Sequence, residues 1–89
     1  MSDVELEDEK ISKAEEVLVY LITQIVEDRD SVEIEIEESD TKLSMVARVA
    51  QGDMGRVIGK RGRVAHGIRA LVRAAAVQDD LAVEVDFEN

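Results

Sequence analysis

From Ile11 to Ile25, apolar residues return every third or fourth position: Ile11, Ala14, Val17, Leu18, Leu21, Ile22 and Ile25. That spacing lays a wide apolar stripe along one side of a helix, which the pattern carries to about Glu27. Ser12-Lys13-Ala14-Glu15 has the form of a capping box at its start. From Val32 the period drops to two. Val32, Ile34 and Ile36 alternate with Glu33, Glu35 and Glu37, as in a strand with one buried and one acidic face. After the polar turn Ser39-Asp40-Thr41, Leu43, Met45, Ala47 and Val49 alternate with residues that include Lys42, Ser44 and Arg48, so the two strands read as an antiparallel hairpin. Gln51-Gly52-Asp53 breaks the second strand, and Asp53 is placed to cap a short helix reaching Ile58. Gly59 to Gly62 interrupts that helix. A further helix is predicted from Arg63 to about Val77, with Val64, Ile68, Leu71, Val72 and Ala75 as its stripe and His66, Arg69 and Arg73 on the far side. Asp79-Asp80 ends it, and Leu81, Val83, Val85 and Phe87 alternate with acids in a last strand. Tyr20 and Phe87 fall on apolar stripes and are assigned to the core. Gly55 and Gly67, inside helices, read as close-packing positions. The order α-β-β-α-α-β predicts one α+β unit over residues 11–89, preceded by an acidic tail over residues 1–10.

Composition narrows the class. With 89 residues, 45% of them apolar, the chain has material for one core and one domain. There is no cysteine, which excludes disulfides, thiolate zinc sites and a cysteine nucleophile, and fits a reducing cytoplasm. The start, Met1-Ser2-Asp3-Val4-Glu5, carries acid where a signal peptide needs positive charge, and the longest apolar run, Val17 to Ile22, is far short of the ~18 residues that span a bilayer. A cytoplasmic protein without a membrane partner is expected.

Charge changes the picture more. Net charge is −10, yet residues 54–78 contain six basic side chains and no acidic one: Arg56, Lys60, Arg61, Arg63, Arg69 and Arg73. Potential is screened over about 8–10 Å, so this island rather than the net charge decides where a polyanion docks. Its centre is Gly59-Lys60-Arg61-Gly62. Glycines allow positive φ and the close approach of a phosphate, the following helix start favours an anion, and Lys60 and Arg61 supply cations between them. Val57 and Ile58 precede the loop, and Arg56 and Arg63 flank it. Arg69 and Arg73, further along, read as solvated charge or a partner surface.

Competing chemistries fail on spacing. A nucleotide-triphosphate loop needs four residues between its first glycine and the Gly-Lys pair, then Ser or Thr; Gly55 and Gly59 are separated by three, and Arg61 follows Lys60. The glycines at 55, 59 and 62 do not fit a dinucleotide fingerprint. The one histidine, His66, has no cysteine or nearby carboxylate to work with. The acids show no calcium-loop spacing. No catalytic residue, metal or cofactor is assigned, and the protein is expected not to be an enzyme.

Val57-Ile58-Gly59-Lys60-Arg61-Gly62-Arg63, followed by apolar Val64 and Ile68, resembles the signature of KH domains: an apolar pair, Gly-x-x-Gly and an amphipathic helix. Asp53 to Lys60 is similar to the corresponding stretch of the small bacterial single-KH-domain proteins of the KhpA family, and the likeness runs over about residues 11–88. The resemblance implies a type II KH domain, a three-stranded sheet packed on one side by three helices. It implies single-stranded RNA as partner, with Gly59, Lys60, Arg61 and Gly62 holding about four nucleotides, Val57 and Ile58 with part of the strand Leu43 to Val49 as the apolar floor of the groove, and Arg56 and Arg63 as additional phosphate contacts. It also implies an RNA chaperone or post-transcriptional regulator, working as a homodimer or with a larger KH protein. The alternative is an interaction module that uses the same fold with little RNA affinity.

Overall fold

The computed structural model describes residues 12–77 and 80–89. Ile11, the acidic tail assigned to residues 1–10 and the helix stop at Asp79 lie outside the described residues. Helix α1 spans Lys13–Ile25, strands β1 and β2 span Glu33–Glu38 and Lys42–Arg48, short helix α2 spans Met54–Ile58, helix α3 spans Arg63–Ala76, and β3 spans Ala82–Glu88. Short 3-10 turns occupy Arg29–Ser31, Gln51–Asp53 and Lys60–Gly62. The α-β-β-α-α-β order matches the expectation.

The sheet order is β1-β2-β3. β1 and β2 pair antiparallel, with Glu33 opposite Arg48 and Glu38 opposite Leu43, as the short polar turn requires. β2 and β3 pair parallel, from Lys42 opposite Ala82 to Arg48 opposite Glu88. A parallel pair needs a long crossover, and α2, the glycine loop and α3 supply it. The loop therefore lies within the connection between two neighbouring strands.

One sheet face carries the core. Leu43, Met45, Ala47 and Val49, with Val83 and Val85, are buried against Ala14, Leu18 and Ile22 of α1, Val57 of α2, and Ile68, Val72 and Ala76 of α3. The other face is charged, with Lys42 paired to Glu84 at 3.0 Å and Arg48 to Glu35 and Glu88 at 3.1 Å each. The hydrogen bond and charge of Glu35, helped by Glu88, raise the Arg48 guanidinium above its ordinary pKa. Ile36, on the edge strand β1, is 40% exposed, because the helices cover that edge only in part.

Ser12 caps α1 as its sequence pattern predicts, its hydroxyl oxygen accepting from the Glu15 amide at 3.0 Å. Four expectations need correction. Tyr20 is 62% exposed; it lies about 200° around α1 from Leu18, on the opposite side from the core. On α3 the buried line is Ala65, Ile68, Val72 and Ala76, while Leu71 is 55% exposed on the flank. Small alanines thus line part of the buried side of α3, and the larger Leu71 is left outside. Gly55 and Gly67 are not close-packing positions, since an added Cβ at either meets nothing within 4 Å. Finally, the Asp53 side chain does not cap α2; its carboxylate bonds elsewhere.

Candidate nucleic-acid interface

Helix α2 is only five residues long, too short to hold its place by its own hydrogen bonds. Two anchors position it. At its start, Asp53 is 3% exposed, and its two carboxylate oxygens accept from the backbone amides of Glu27 and Asp28 at 3.0 Å each. These two bonds, Glu27 first, hold the Asp53 carboxyl below the usual carboxylate range; Arg56 adds to the effect and burial opposes it. At its end, Val57 is fully buried and Gly59 donates to the Gly55 carbonyl at 2.9 Å. Val57 thus supports the loop from within the core and has no surface to offer a ligand. Ile58 is half-buried and packs against the core's edge, next to the loop.

The loop itself is built on left-handed backbone. Gly59 has φ 77°, Gly62 φ 74°, and Arg61 between them φ 57° and ψ 26°. A non-glycine residue in that region costs about 1–2 kcal/mol. Gly62 donates to the Gly59 carbonyl at 3.1 Å, closing the turn. Gly59 is also sterically required: an added Cβ would overlap the Val64 side chain and come within 2.8 Å of the Val64 amide nitrogen. Glycine 59 therefore lets α3 start directly against the end of α2.

Helix α3 begins at Gly62 with no side-chain cap and no acid in its first turn. Its partial positive charge is left for an incoming anion. Lys60, Arg61 and Arg63 are exposed around this point, and none pairs with an acid among the described residues. The other predicted cations differ. Arg56 donates to the Gly52 carbonyl at 3.3 Å and pairs with Glu27 at 3.0 Å and Asp53 at 3.6 Å, so its charge is already shared. Arg73 is exposed. Arg69 is half-buried and engaged: its Nε donates to the Val85 carbonyl at 2.8 Å, its guanidinium lies 5.3 Å from the Phe87 ring centroid, and Asp86 is 4.0 Å away.

The Arg69 contact falls on the open edge of β3. The Ala82 amide donates to Thr41 and the Glu88 carbonyl accepts from Val49. In a parallel ladder, alternate residues turn both peptide groups to the same side, so those of Val83, Val85 and Phe87 face away from β2. Arg69 covers the middle of that edge. Sequence reasoning missed both Arg69 and Asp53, since each partner lies far along the chain and no local pattern points to it.

A three-stranded mixed sheet with helices on one face, and a Gly-x-x-Gly turn between the two helices of its parallel crossover, defines a KH domain of the type II arrangement. The family model for the KhpA/KhpB KH domain matches residues 15–87, and the chain belongs to that family. Among its relatives, the RNA-binding protein KhpA of Listeria monocytogenes is 39% identical over 73 residues, covering 82% of this chain and 96% of the relative. The RNA-binding protein KhpA of Bacillus subtilis is 38% identical, covering 82% and 90%. That of Borreliella burgdorferi is 31% identical over 72 residues, covering 81% and 88%. No solved structure matches the chain significantly.

Proposed function

We infer that this chain binds single-stranded RNA through the turn Gly59-Lys60-Arg61-Gly62, as an RNA chaperone or post-transcriptional regulator in the cytoplasm. The observation that carries this reading is the turn's geometry: two glycines and Arg61 with positive φ set Lys60, Arg61 and Arg63, which meet no acid among the described residues, at an uncapped helix start. A sugar-phosphate backbone fits against the glycines, and the cations and the helix end neutralise it. About four nucleotides are held, which is the reach of such a clamp. Ile58 lies beside the loop as the apolar contact for a base. The relatives' shared name, RNA-binding protein, supports the same reading.

Replacing Lys60 and Arg61 together by Asp abolishes binding of a labelled, randomised single-stranded RNA of about eight nucleotides, long enough for the clamp, with circular dichroism unchanged. Duplex RNA of the same length serves as control. For the unsubstituted protein, log K falls against log salt with a slope of about −2, from three cations at ~0.7 per phosphate. Full affinity in the folded double variant excludes the loop as the site. A second reading, an interaction module with little RNA affinity, is favoured by the exposed apolar side chains Tyr20, Leu71 and Val77; it predicts no RNA binding by the unsubstituted protein in this titration.

A further inference from the structure

We propose that Asp53 is the positioning residue of the loop, its carboxylate fixing the direction of α2 so that Gly59 to Gly62 is presented for RNA. The inference rests on the RNA reading above and extends it to a residue that touches no ligand. Asp53 is the buried charged side chain among the described residues, and it is used to join two segments 25 and 26 residues apart in sequence. Both oxygens are taken by backbone amides, of Glu27 and Asp28, in the segment just after α1. Those amides have no helical partner there, because α1 ends at Ile25 and Val26 is already extended. The clamp therefore satisfies two peptide groups and sets the origin of a five-residue helix whose far end is the glycine turn. With so short a lever, a change of direction at Asp53 is transmitted to Gly59 without a flexible segment between. Arg56, one turn on, pairs with both Glu27 and Asp53 and braces the same junction.

Charge and position predict opposite signs, which makes the idea testable. Asp53→Asn removes a negative charge near a polyanion site, so electrostatics alone strengthens RNA binding. The amide, however, has one acceptor oxygen, and its NH2 faces an amide donor, so the clamp opens. Titrated with the randomised single-stranded RNA used above, folded Asp53→Asn is expected to bind about fivefold or more weakly, the usual lower bound of a coupling between sites. Its salt slope is unchanged, since the same phosphates are met. Asp30→Asn removes a like charge from the turn just after the segment that holds Glu27 and Asp28 but leaves Asp53, its two amide donors and the Arg56 brace in place; it is expected to bind as the unsubstituted protein does, or more tightly.

Should Asp53→Asn fail to fold, amide hydrogen exchange on the unsubstituted protein decides. By reciprocity of coupling, saturating RNA slows exchange at Glu27 and Asp28, which lie outside the loop. Equal or tighter binding by folded Asp53→Asn overturns the proposal, as does exchange at Glu27 and Asp28 that RNA leaves unaltered. No binding by the unsubstituted protein overturns the RNA reading itself and this inference with it, so the two failures are distinguishable.

Discussion

Gly59 and Gly62 share a left-handed φ, at 77° and 74°, but not an environment. An added methyl at Gly59 collides with Val64, whereas at Gly62 it meets nothing within 4 Å. Gly62→Ala therefore costs only the backbone preference, about 1–2 kcal/mol. Gly59→Ala adds overpacking and loses about 2–5 kcal/mol in all. Gly67 is the reverse case: it sits within α3, with open space around it, so Gly67→Ala stabilises by about 0.5–1 kcal/mol. Urea unfolding of the three variants checks the order; a Gly67→Ala protein less stable than the parent would mean that this position packs against something. The Gly-x-x-Gly spacing alone located the turn, because glycine takes positive φ without steric cost. It could not separate Gly67 from a packing glycine, since sequence spacing carries no information on what lies opposite a missing Cβ. Nor could it reveal Arg61 in left-handed backbone, a conformation imposed by the closure between Gly59 and Gly62.

Elements were legible where their pattern was local. The change of apolar period from three-or-four to two marked α1 and the hairpin, and the Ser12 cap marked the helix start. The parallel pairing of β2 with β3, by contrast, is a non-local choice, and it decides which side chains flank the last strand. Arg69 shows the consequence. Helical phase put it on the solvent side of α3, yet β3 runs alongside, and the guanidinium bonds to Val85 and stacks over Phe87. The arginine ties helix to strand and covers an edge that could otherwise accept another strand. Arg69→Gln is expected to lower stability by about 1–2 kcal/mol, from the lost hydrogen bond and cation–π contact. The salt slope of RNA binding stays within a few tenths of the parent's, because this cation is already engaged. A slope reduced by about 0.7 would place a phosphate on Arg69 and move the binding path toward the outside of α3.

At the scale of the molecule, the acidic excess and the basic turn are segregated. Carboxylates dominate the open sheet face, and three cations with no acid partner among the described residues, Lys60, Arg61 and Arg63, gather where α3 begins. This arrangement directs a polyanion to one place on a chain whose net charge is −10. A clamp of about four nucleotides binds weakly by itself, and two clamps joined in one particle gain through effective concentration. Tyr20 at 62% and Leu71 at 55% exposure leave apolar area on the helical layer for such joining. Sedimentation equilibrium at tens of micromolar is expected to show a dimer, shifting toward monomer when Leu71 is replaced by Glu; a parent that sediments only as monomer removes self-association. The pairing of Val49 with Glu88 at 2.9 Å also decides how the domain can be wired to anything else. It holds the end of β3 at the same end of the sheet as the turn that leads into Asp53 and α2. The chain enters α1 at the opposite end of that 13-residue helix, about 20 Å away at 1.5 Å per residue. A label or fused module attached beyond Asn89 consequently emerges beside the helix that carries the loop. A label carried on Lys13, in the first turn of α1, sits a helix length away, so the former position suits a proximity probe and the latter a distant reference.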